Sequence, residues 1–250
     1  YLEHEDEIKN PSWKNRMHRF CTAVKVEEME RLNQDLVWSQ LSYADTEEEI
    51  QKGCAEHPVP SELAVCELES RPGEPAYFIA IPKQQDSMPW APLDVIMAVR
   101  GTKSLEDAIT DIICDAAPYR DGKAHQYIIK AGTHVFEQSK PILEDMAAKL
   151  GRSKIRIRMV GHSLGAGAAS IAAIEFNELS NFEVKVTGFG CPALLTKEMA
   201  VKYKSFITTI VNDGDPVPRM SAATLTNLLL RLVVSSFLAL GVSERRSAGI

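Results

Sequence analysis

The sequence predicts an α/β fold with a mostly parallel central sheet and helices on both faces. Short apolar runs of strand length alternate with longer segments of helical periodicity, and strands that alternate with helices form parallel sheets. Residues 93–99 form a nearly continuous apolar run, which is typical of a central strand covered on both sides. With 250 residues, 45% of them hydrophobic, the chain can bury one substantial core.

The N-terminal part of the chain is predicted to be helical. We expect residues 1–60 to form a helical segment packed on the sheet, and residues 61–250 to form the main domain. The apolar positions at helical spacing are Met29, Leu32, Leu36 and Leu41. Apolar runs within residues 62–81 lie on both sides of a turn-forming sequence, 71–75, and predict two hairpin strands at one edge of the sheet.

The remaining elements follow from capping, turn and periodicity patterns. A capping-box pattern at Ser104 predicts a short helix that ends at Ile113. The polar, glycine-containing residues 116–130 predict an exposed loop over the site. Further along the chain we expect helices at about 131–150 and 195–204, and strands at 155–160, 183–189 and 206–211.

Two arginines interrupt the apolar pattern of the strand at 155–160. Arg156 and Arg158 alternate with apolar residues, whereas a fully covered strand should be apolar throughout. We therefore expect both arginines to lie on the exposed first half of this strand.

Charge and cysteine content exclude several classes of function. The net charge of −6, with basic residues spread along the chain, argues against nucleic acid as a partner. The five cysteines are widely scattered, without a C-x-x-C pair or a zinc-like spacing, and are read as free thiols in a reducing compartment. The first twenty residues are charged and contain no signal peptide or membrane span. These observations favour the cytoplasmic side of the cell and a site without metal or organic cofactor.

The most informative motif is Gly161-His162-Ser163-Leu164-Gly165, which follows the apolar run 155–160. This pattern is typical of a strand that turns sharply into a helix and raises a serine hydroxyl above the sheet as a nucleophile. Small residues fill the first turns of the following helix, at 164–169, which favours close packing on the strand. The alternative is a chance occurrence of a short motif.

A serine nucleophile needs a base, an acid that orients the base, and donors for the oxyanion. Asp213 and Asp215 both follow the predicted strand at 206–211, and the flanking prolines favour Asp215 because they stiffen its loop. A proline-rich surface turn is the alternative. The backbone N–H groups of Leu164 and Thr102, each at a strand end, are the candidate oxyanion hole.

The base is the unassigned member of this set. None of the six histidines follows Asp215, although this motif is expected to supply serine, acid and histidine in that order. His125 and His134 are upstream candidates, and His162 is expected to support the turn rather than to face the serine. We expect the base beyond Ile250, or else a chain without one.

Together these motifs resemble the class 3 (fungal-type) lipase family, and within it most closely the sn-1-specific diacylglycerol lipases. The resemblance covers residues 90–222. The segments that carry it are Val99 to Thr102 with Ser104, Asp107-Ala108 and Thr110-Asp111, then Val160 to Gly167, Gly188 to Pro192, Asp215 to Arg219, and Ser42-Tyr43-Ala44.

The resemblance implies an α/β-hydrolase fold, so that residues 61–250 form a class 3 lipase-like domain whose C-terminal part is expected to be missing here. It implies Ser163 as nucleophile, Asp215 as triad acid, and Thr102 with Leu164 as oxyanion hole. The expected activity is hydrolysis of a glycerolipid ester, on diacylglycerol or a related acylglycerol, at a membrane or lipid-droplet surface. A lipase-like binding or signalling module without catalysis is the alternative.

An apolar stretch follows the acid loop, from Leu228 to Leu240. Its thirteen residues are too few to span a bilayer. Asn227, Arg231 and Ser235 would form a thin polar stripe on a helix with a broad apolar face. We expect a core or cap helix, with a membrane-docking surface as the alternative.

Overall fold

The computed structural model describes residues 24–88, 90–102, 116–220, 224, 226–228, 230 and 231. The chain divides into two compact units, 1–33 and 34–250. The elements are α1 (Val26–Leu41), α2 (Glu47–Glu56), β1 (Ser61–Glu67), β2 (Tyr77–Pro82), β3 (Leu93–Val99), β4 (Ala116–Tyr119), β5 (Gly122–His125), α3 (Gln126–Lys149), β6 (Ile155–His162), α4 (Leu164–Asn177), β7 (Phe182–Phe189), α5 (Lys197–Tyr203), β8 (Ile207–Ile210) and a 3-10 turn (Val217–Arg219).

The main sheet has six strands in the order β1-β2-β3-β6-β7-β8. The pairs β1–β2 and β2–β3 are antiparallel, whereas β3–β6, β6–β7 and β7–β8 are parallel. The predicted edge hairpin and the predicted parallel strands are therefore confirmed. The carboxyl ends of β3, β6, β7 and β8 meet at one edge of the sheet, and the site described below lies there.

Helical residues of the second unit cover both faces of the sheet, as the α/β prediction requires. On one face, α3 and α4 pack their buried residues on the strands, among them Val135, Leu143 and Ala172. On the other face, Trp38 of α1 and Ile50 of α2 join a cluster with apolar residues of β2, β3 and β6. The predicted domain division at residue 60 stays a prediction.

Both arginines lie on the first half of β6, where Arg156 is exposed, as predicted, and Arg158 is half-buried. Arg156 stands between two acids that are its direct neighbours on the adjacent strands. Its guanidinium lies 3.1 Å from Asp94 Oδ1 and 3.0 Å from Glu183 Oε2. Charge pairing across the strands therefore replaces apolar cover at this end of the sheet.

The buried face of α1 is not the face that its apolar spacing predicts. Leu36 is 37% exposed, while Trp38 and Asp35 are both 0% exposed. Asp35 Oδ2 accepts a hydrogen bond of 2.7 Å from the Thr187 hydroxyl of β7, and its Oδ1 lies 3.6 Å from Arg158. Polar partners on the sheet thus turn the Asp35 side of the helix inward, a preference that apolar periodicity cannot detect.

The predicted loop over residues 116–130 is wrong in part. Residues 116–125 form an antiparallel hairpin, and α3 begins at Gln126 rather than near 131. The bridge between Ala124 and Leu195 supports this hairpin from a segment distant in sequence. The predicted helix at 104–113 and most of the apolar stretch 228–240 lie outside the described residues. Within the described part of the chain, no helix combines the length and hydrophobicity needed to traverse a bilayer.

Candidate active site

Ser163 forms the turn between β6 and α4. Its backbone has φ 54° and ψ −126°, in a region that a residue with a Cβ atom rarely adopts. Two hydrogen bonds hold this conformation, since Ser163 N–H donates to Phe189 O at 2.9 Å and Ser163 O accepts from Ala166 N–H at 3.0 Å. Ser163 is 7% exposed, so the turn is enclosed by its neighbours.

The two glycines of the motif allow the strand and helix to approach. A Cβ atom on Gly161 would lie 2.5 Å from the Gly165 carbonyl carbon. A Cβ atom on Gly165 would overlap Val99 O and lie 2.7 Å from the Arg100 carbonyl carbon. All of these neighbours are backbone atoms, which cannot rotate away. The turn therefore closes only when both positions lack a side chain.

The end of β3 lies directly against the start of α4. A Cβ atom on Gly101 would overlap His162 O and would lie 3.4 Å from Gly165 N. Thr102 follows Gly101, and Leu164 is the first residue of α4. The sequence-predicted oxyanion pair thus belongs to two segments that are in backbone contact. The direction of the two amides toward a common point stays a prediction.

The acid loop follows β8 and favours Asp215 over Asp213. Asp215 is half-buried, and its Oδ1 accepts a 3.0 Å hydrogen bond from Val217 N–H. Arg219 also holds the loop, because its guanidinium donates to the backbone oxygens of Asp215 and Asp213. Asp213 is exposed, with φ 42°. The loop is therefore built to fix the Asp215 carboxylate.

The other carboxylate oxygen of Asp215 points toward the motif. A Cβ atom on Gly190 would lie 2.8 Å from Asp215 Oδ2 and 3.7 Å from His162 Nε2. Gly190 itself has φ 56° and donates its N–H to Ile210 O at 2.9 Å. The end of β7 therefore lies between the acid and His162. Asp215 and Ser163 belong to one cluster of strand ends.

His162 contacts a residue that the sequence analysis did not assign to the site. Tyr43 Oη lies 3.0 Å from His162 Nδ1. Partial burial lowers the pKa of His162, and the Asp215 carboxylate opposes that shift. Burial raises the pKa of Tyr43, so its hydroxyl stays protonated. The signal for Tyr43 in the sequence is its place in Ser42-Tyr43-Ala44, one of the family-like segments.

The two upstream histidines lie on or beside α3. His125 is buried and precedes the first turn of α3. Its backbone N–H donates to Leu194 O at 3.0 Å. His134 is half-buried within α3. Neither position decides which histidine acts as base. Among the described residues, no group of three or more His, Cys, Asp and Glu side chains is arranged to hold a metal ion.

Comparison with known proteins identifies the family. The model of the family described as "Lipase (class 3)" matches residues 96–225, just over half of the chain. This chain belongs to the class 3 lipase family. The match contains Ser163, Asp215 and both predicted oxyanion donors.

Curated relatives of this class 3 lipase include diacylglycerol lipases. Mouse (Mus musculus) diacylglycerol lipase-beta is 30% identical over 149 residues, which are 56% of this chain and 22% of that protein. Human (Homo sapiens) diacylglycerol lipase-alpha is 28% identical over 151 residues, 56% of this chain and 14% of that protein. The chain thus matches less than a quarter of the length of either relative.

Solved lipase structures share the fold. The lipase of Rhizopus microsporus var. chinensis superposes with a TM-score of 0.63 at 19% identity, over 82% of this chain and 72% of that one. Lip2 lipase of Yarrowia lipolytica gives a TM-score of 0.63 at 18% identity, over 80% and 77%. These likenesses confirm the predicted α/β-hydrolase fold.

Proposed function

We propose that this protein is a serine hydrolase that cleaves a carboxylic ester of a glycerolipid, diacylglycerol or a related acylglycerol. The observation that carries the proposal is Ser163, held at φ 54° between β6 and α4 by glycines that admit no side chain. Such a turn directs a serine hydroxyl away from the sheet and toward a bound substrate. The substrate class rests on the similarity to diacylglycerol lipases.

Each residue of the cluster has a role in an acyl-enzyme mechanism. Ser163 Oγ attacks the ester carbonyl and forms a tetrahedral intermediate, while a histidine takes the serine proton. The N–H groups of Thr102 and Leu164 stabilise the negative oxygen. The histidine then protonates the leaving alcohol. Asp215 orients the histidine, and water releases the fatty acid from Ser163 in a second, equivalent cycle.

The identity of the base is a separate part of the proposal. His125 and His134 are the candidates within this sequence, and a histidine beyond Ile250 is the candidate outside it. Covalent labelling with a fluorophosphonate separates them, since Ser163 Oγ bonds to phosphorus and releases fluoride only when a base accepts the serine proton. If His125→Ala and His134→Ala both label at the rate of the parent chain, neither histidine is the base.

The decisive experiment measures fatty-acid release from diacylglycerol vesicles by the full-length protein, since a histidine beyond Ile250 is one candidate for the base. Ser163→Ala should lower kcat by at least about a thousandfold, because the nucleophile is lost. Ser170→Ala is the matched control, since Ser170 lies in the same helix and its hydroxyl bonds only to Ala166 O, at 2.8 Å. We expect the control to keep activity within about threefold of the parent. Equal activity of Ser163→Ala and the parent would refute the proposal.

A second candidate function is a lipase-like binding or signalling module. It would hold if neither His125, His134 nor a histidine beyond Ile250 accepts the Ser163 proton. In that case the chain should bind diacylglycerol vesicles without releasing fatty acid, and Ser163 should resist fluorophosphonate. Labelling of Ser163 would exclude this candidate.

We also propose that the protein works at a lipid surface on the cytoplasmic side of a membrane or on a lipid droplet. An acylglycerol substrate resides in such a surface, so hydrolysis requires at least transient contact. Sedimentation with diacylglycerol-containing vesicles, compared with vesicles of phosphatidylcholine alone, measures this contact.

A further inference from the structure

We propose that Tyr43 and His162 are positioning residues that fix the Thr102 end of β3 against the Ser163 turn. The inference deepens the proposed hydrolase function and rests on it. Tyr43 follows α1, His162 ends β6 and Gly101 follows β3, so a contact among the three joins separate elements. Neither side chain is among the residues to which the mechanism above gives a role.

The Tyr43 hydroxyl lies at the meeting point of these elements. The Gly101 backbone N–H lowers the pKa of this hydroxyl, against the effect of burial. A Cβ atom on Gly101 would overlap this hydroxyl, so the strand end passes directly beside it. The hydroxyl also lies 3.0 Å from His162 Nδ1, and we assign its proton to this contact. The Tyr43 hydroxyl thus contacts both the end of β3, which leads to Thr102, and the turn at Ser163.

The tautomer of His162 follows from this assignment of the Tyr43 proton. A Nδ1 atom that accepts a hydrogen bond from the Tyr43 hydroxyl carries no proton, so the neutral ring carries its proton on Nε2. Nε2 faces the Gly190 side of the ring, where Asp215 Oδ2 also lies. Partial burial lowers the pKa of His162 and favours this neutral form. The ring therefore presents an acceptor to Tyr43 and a donor toward the acid loop.

The expected consequence lies in the transition state. Thr102 follows Gly101 directly, and an oxyanion donor acts only when it is about 2.7–3.1 Å from the developing charge. A misplacement of about 1 Å can cost a hundredfold in rate. Loss of the Tyr43 hydroxyl should therefore reduce kcat rather than substrate affinity.

The test begins with Tyr43→Phe, which keeps the ring and removes the hydroxyl. We expect kcat for diacylglycerol hydrolysis to fall ten- to a hundredfold, with KM changed less than about threefold. Tyr119→Phe is the matched control, because it removes a 2.6 Å hydrogen bond to Glu175 outside the site. The control should lose thermal stability without loss of kcat. A Tyr43→Phe variant with parental kcat overturns the proposal.

Two substitutions of His162 separate positioning from packing. In His162→Asn the amide oxygen can occupy the place of Nδ1 and accept from Tyr43, whereas His162→Gln extends its amide toward the place of Nε2. We expect His162→Asn to keep kcat within about fivefold of the parent and His162→Gln to fall as far as Tyr43→Phe. The double variant Tyr43→Phe/His162→Gln should be no slower than the slower single variant, because both remove one interaction.

The outcomes distinguish this inference from the proposed function. A full-length protein that is inactive and whose Ser163 is not labelled by fluorophosphonate overturns both. An active parent whose kcat is unaffected by Tyr43→Phe, or in which His162→Gln is faster than His162→Asn, overturns the positioning roles alone.

Discussion

Close backbone contacts around Ser163 hold its unusual backbone conformation in place. Gly165 is the most restrictive of them, since a Cβ atom there would overlap the Val99 carbonyl oxygen. The strained serine is thus stabilised by the packing of β3 on α4. Strain of this kind persists where the surrounding structure fixes it.

The first prediction concerns these glycines. Gly165→Ala should lower the free energy of unfolding by about 1–3 kcal/mol, although alanine is the better helix former, because the added methyl meets backbone atoms. Gly167→Ala should cost less, since its Cβ atom would meet only the Ile128 side chain, at 2.8 Å. Urea unfolding of both variants measures the difference. A Gly165→Ala variant as stable as the parent would contradict this account of the turn.

The second prediction separates the two acids of the loop. In the proposed mechanism Asp215 orients the base, so Asp215→Asn should lower kcat about ten-thousandfold. Asp213→Asn should stay within about threefold, since Asp213 is exposed. Fatty-acid release from diacylglycerol measures both. The reverse order would move the triad acid to Asp213.

Individual elements show what the sequence could predict. The strands at 93–99 and 155–162 were predicted to within two residues. A continuous apolar run indicated the first, and apolar residues that lead into the glycine-flanked Ser163 indicated the second. The inward face of α1 was not predicted, because it depends on the contact of Asp35 with Thr187, which is 152 residues away. Periodicity is a local signal, and this contact is not local.

The hairpin at 116–125 escaped prediction for a related reason. Arg120 and Asp121 are the central residues of its turn, and Arg120 has φ 52°, so the Asp121-Gly122 pair lies one residue beyond the place where it would signal a hairpin. The ion pair of Arg120 with Glu175 of α4 and the bridge of Ala124 to Leu195 stabilise the hairpin through segments distant in sequence. In the site, the Ser163 and Asp215 motifs were visible, whereas the contact of Tyr43 with His162 joins residues 119 positions apart.

The third prediction tests the corrected face of α1. Trp38→Ala should lower the free energy of unfolding by about 3–5 kcal/mol, because the ring is 0% exposed and leaves a cavity between helix and sheet. Leu36→Ala should cost less than about 1 kcal/mol, since Leu36 is 37% exposed. Thermal unfolding compares them. Similar losses of unfolding free energy in both variants would show that Leu36 is buried as well, as the apolar spacing predicts.

At the scale of the whole molecule, stability is coupled to pH through a buried histidine. His57 is 3% exposed and stacks on Trp38, with ring centroids 3.7 Å apart. Burial lowers its pKa below the ordinary 6.5. The backbone groups of Gln34 and Val59 and the charge of Asp35 oppose this shift, whereas the charge of Arg158 adds to it. The unfolded chain therefore binds a proton more readily than the folded one.

The fourth prediction follows from this linkage. Stabilisation by neutral His57 is fully present above the unfolded pKa of about 6.5 and is lost as pH falls below it toward the lowered folded pKa. The free energy of unfolding should thus decrease between pH 7.5 and 5.5 by more in the parent than in His57→Gln. Urea titrations at the two pH values measure both decreases. Equal decreases would show that other groups account for the acid sensitivity.

The glycine contact between β3 and α4 also has a consequence for motion. With no side chain between strand end and helix start, the Ser163 turn cannot open unless the centre of the sheet separates too. Amide hydrogens at the end of β3 and at the start of α4 should then exchange with solvent together, as slowly as those of the most protected strands. The Ser163 turn would then open only on global unfolding, so access of the proposed acylglycerol to Ser163 must depend on movement elsewhere.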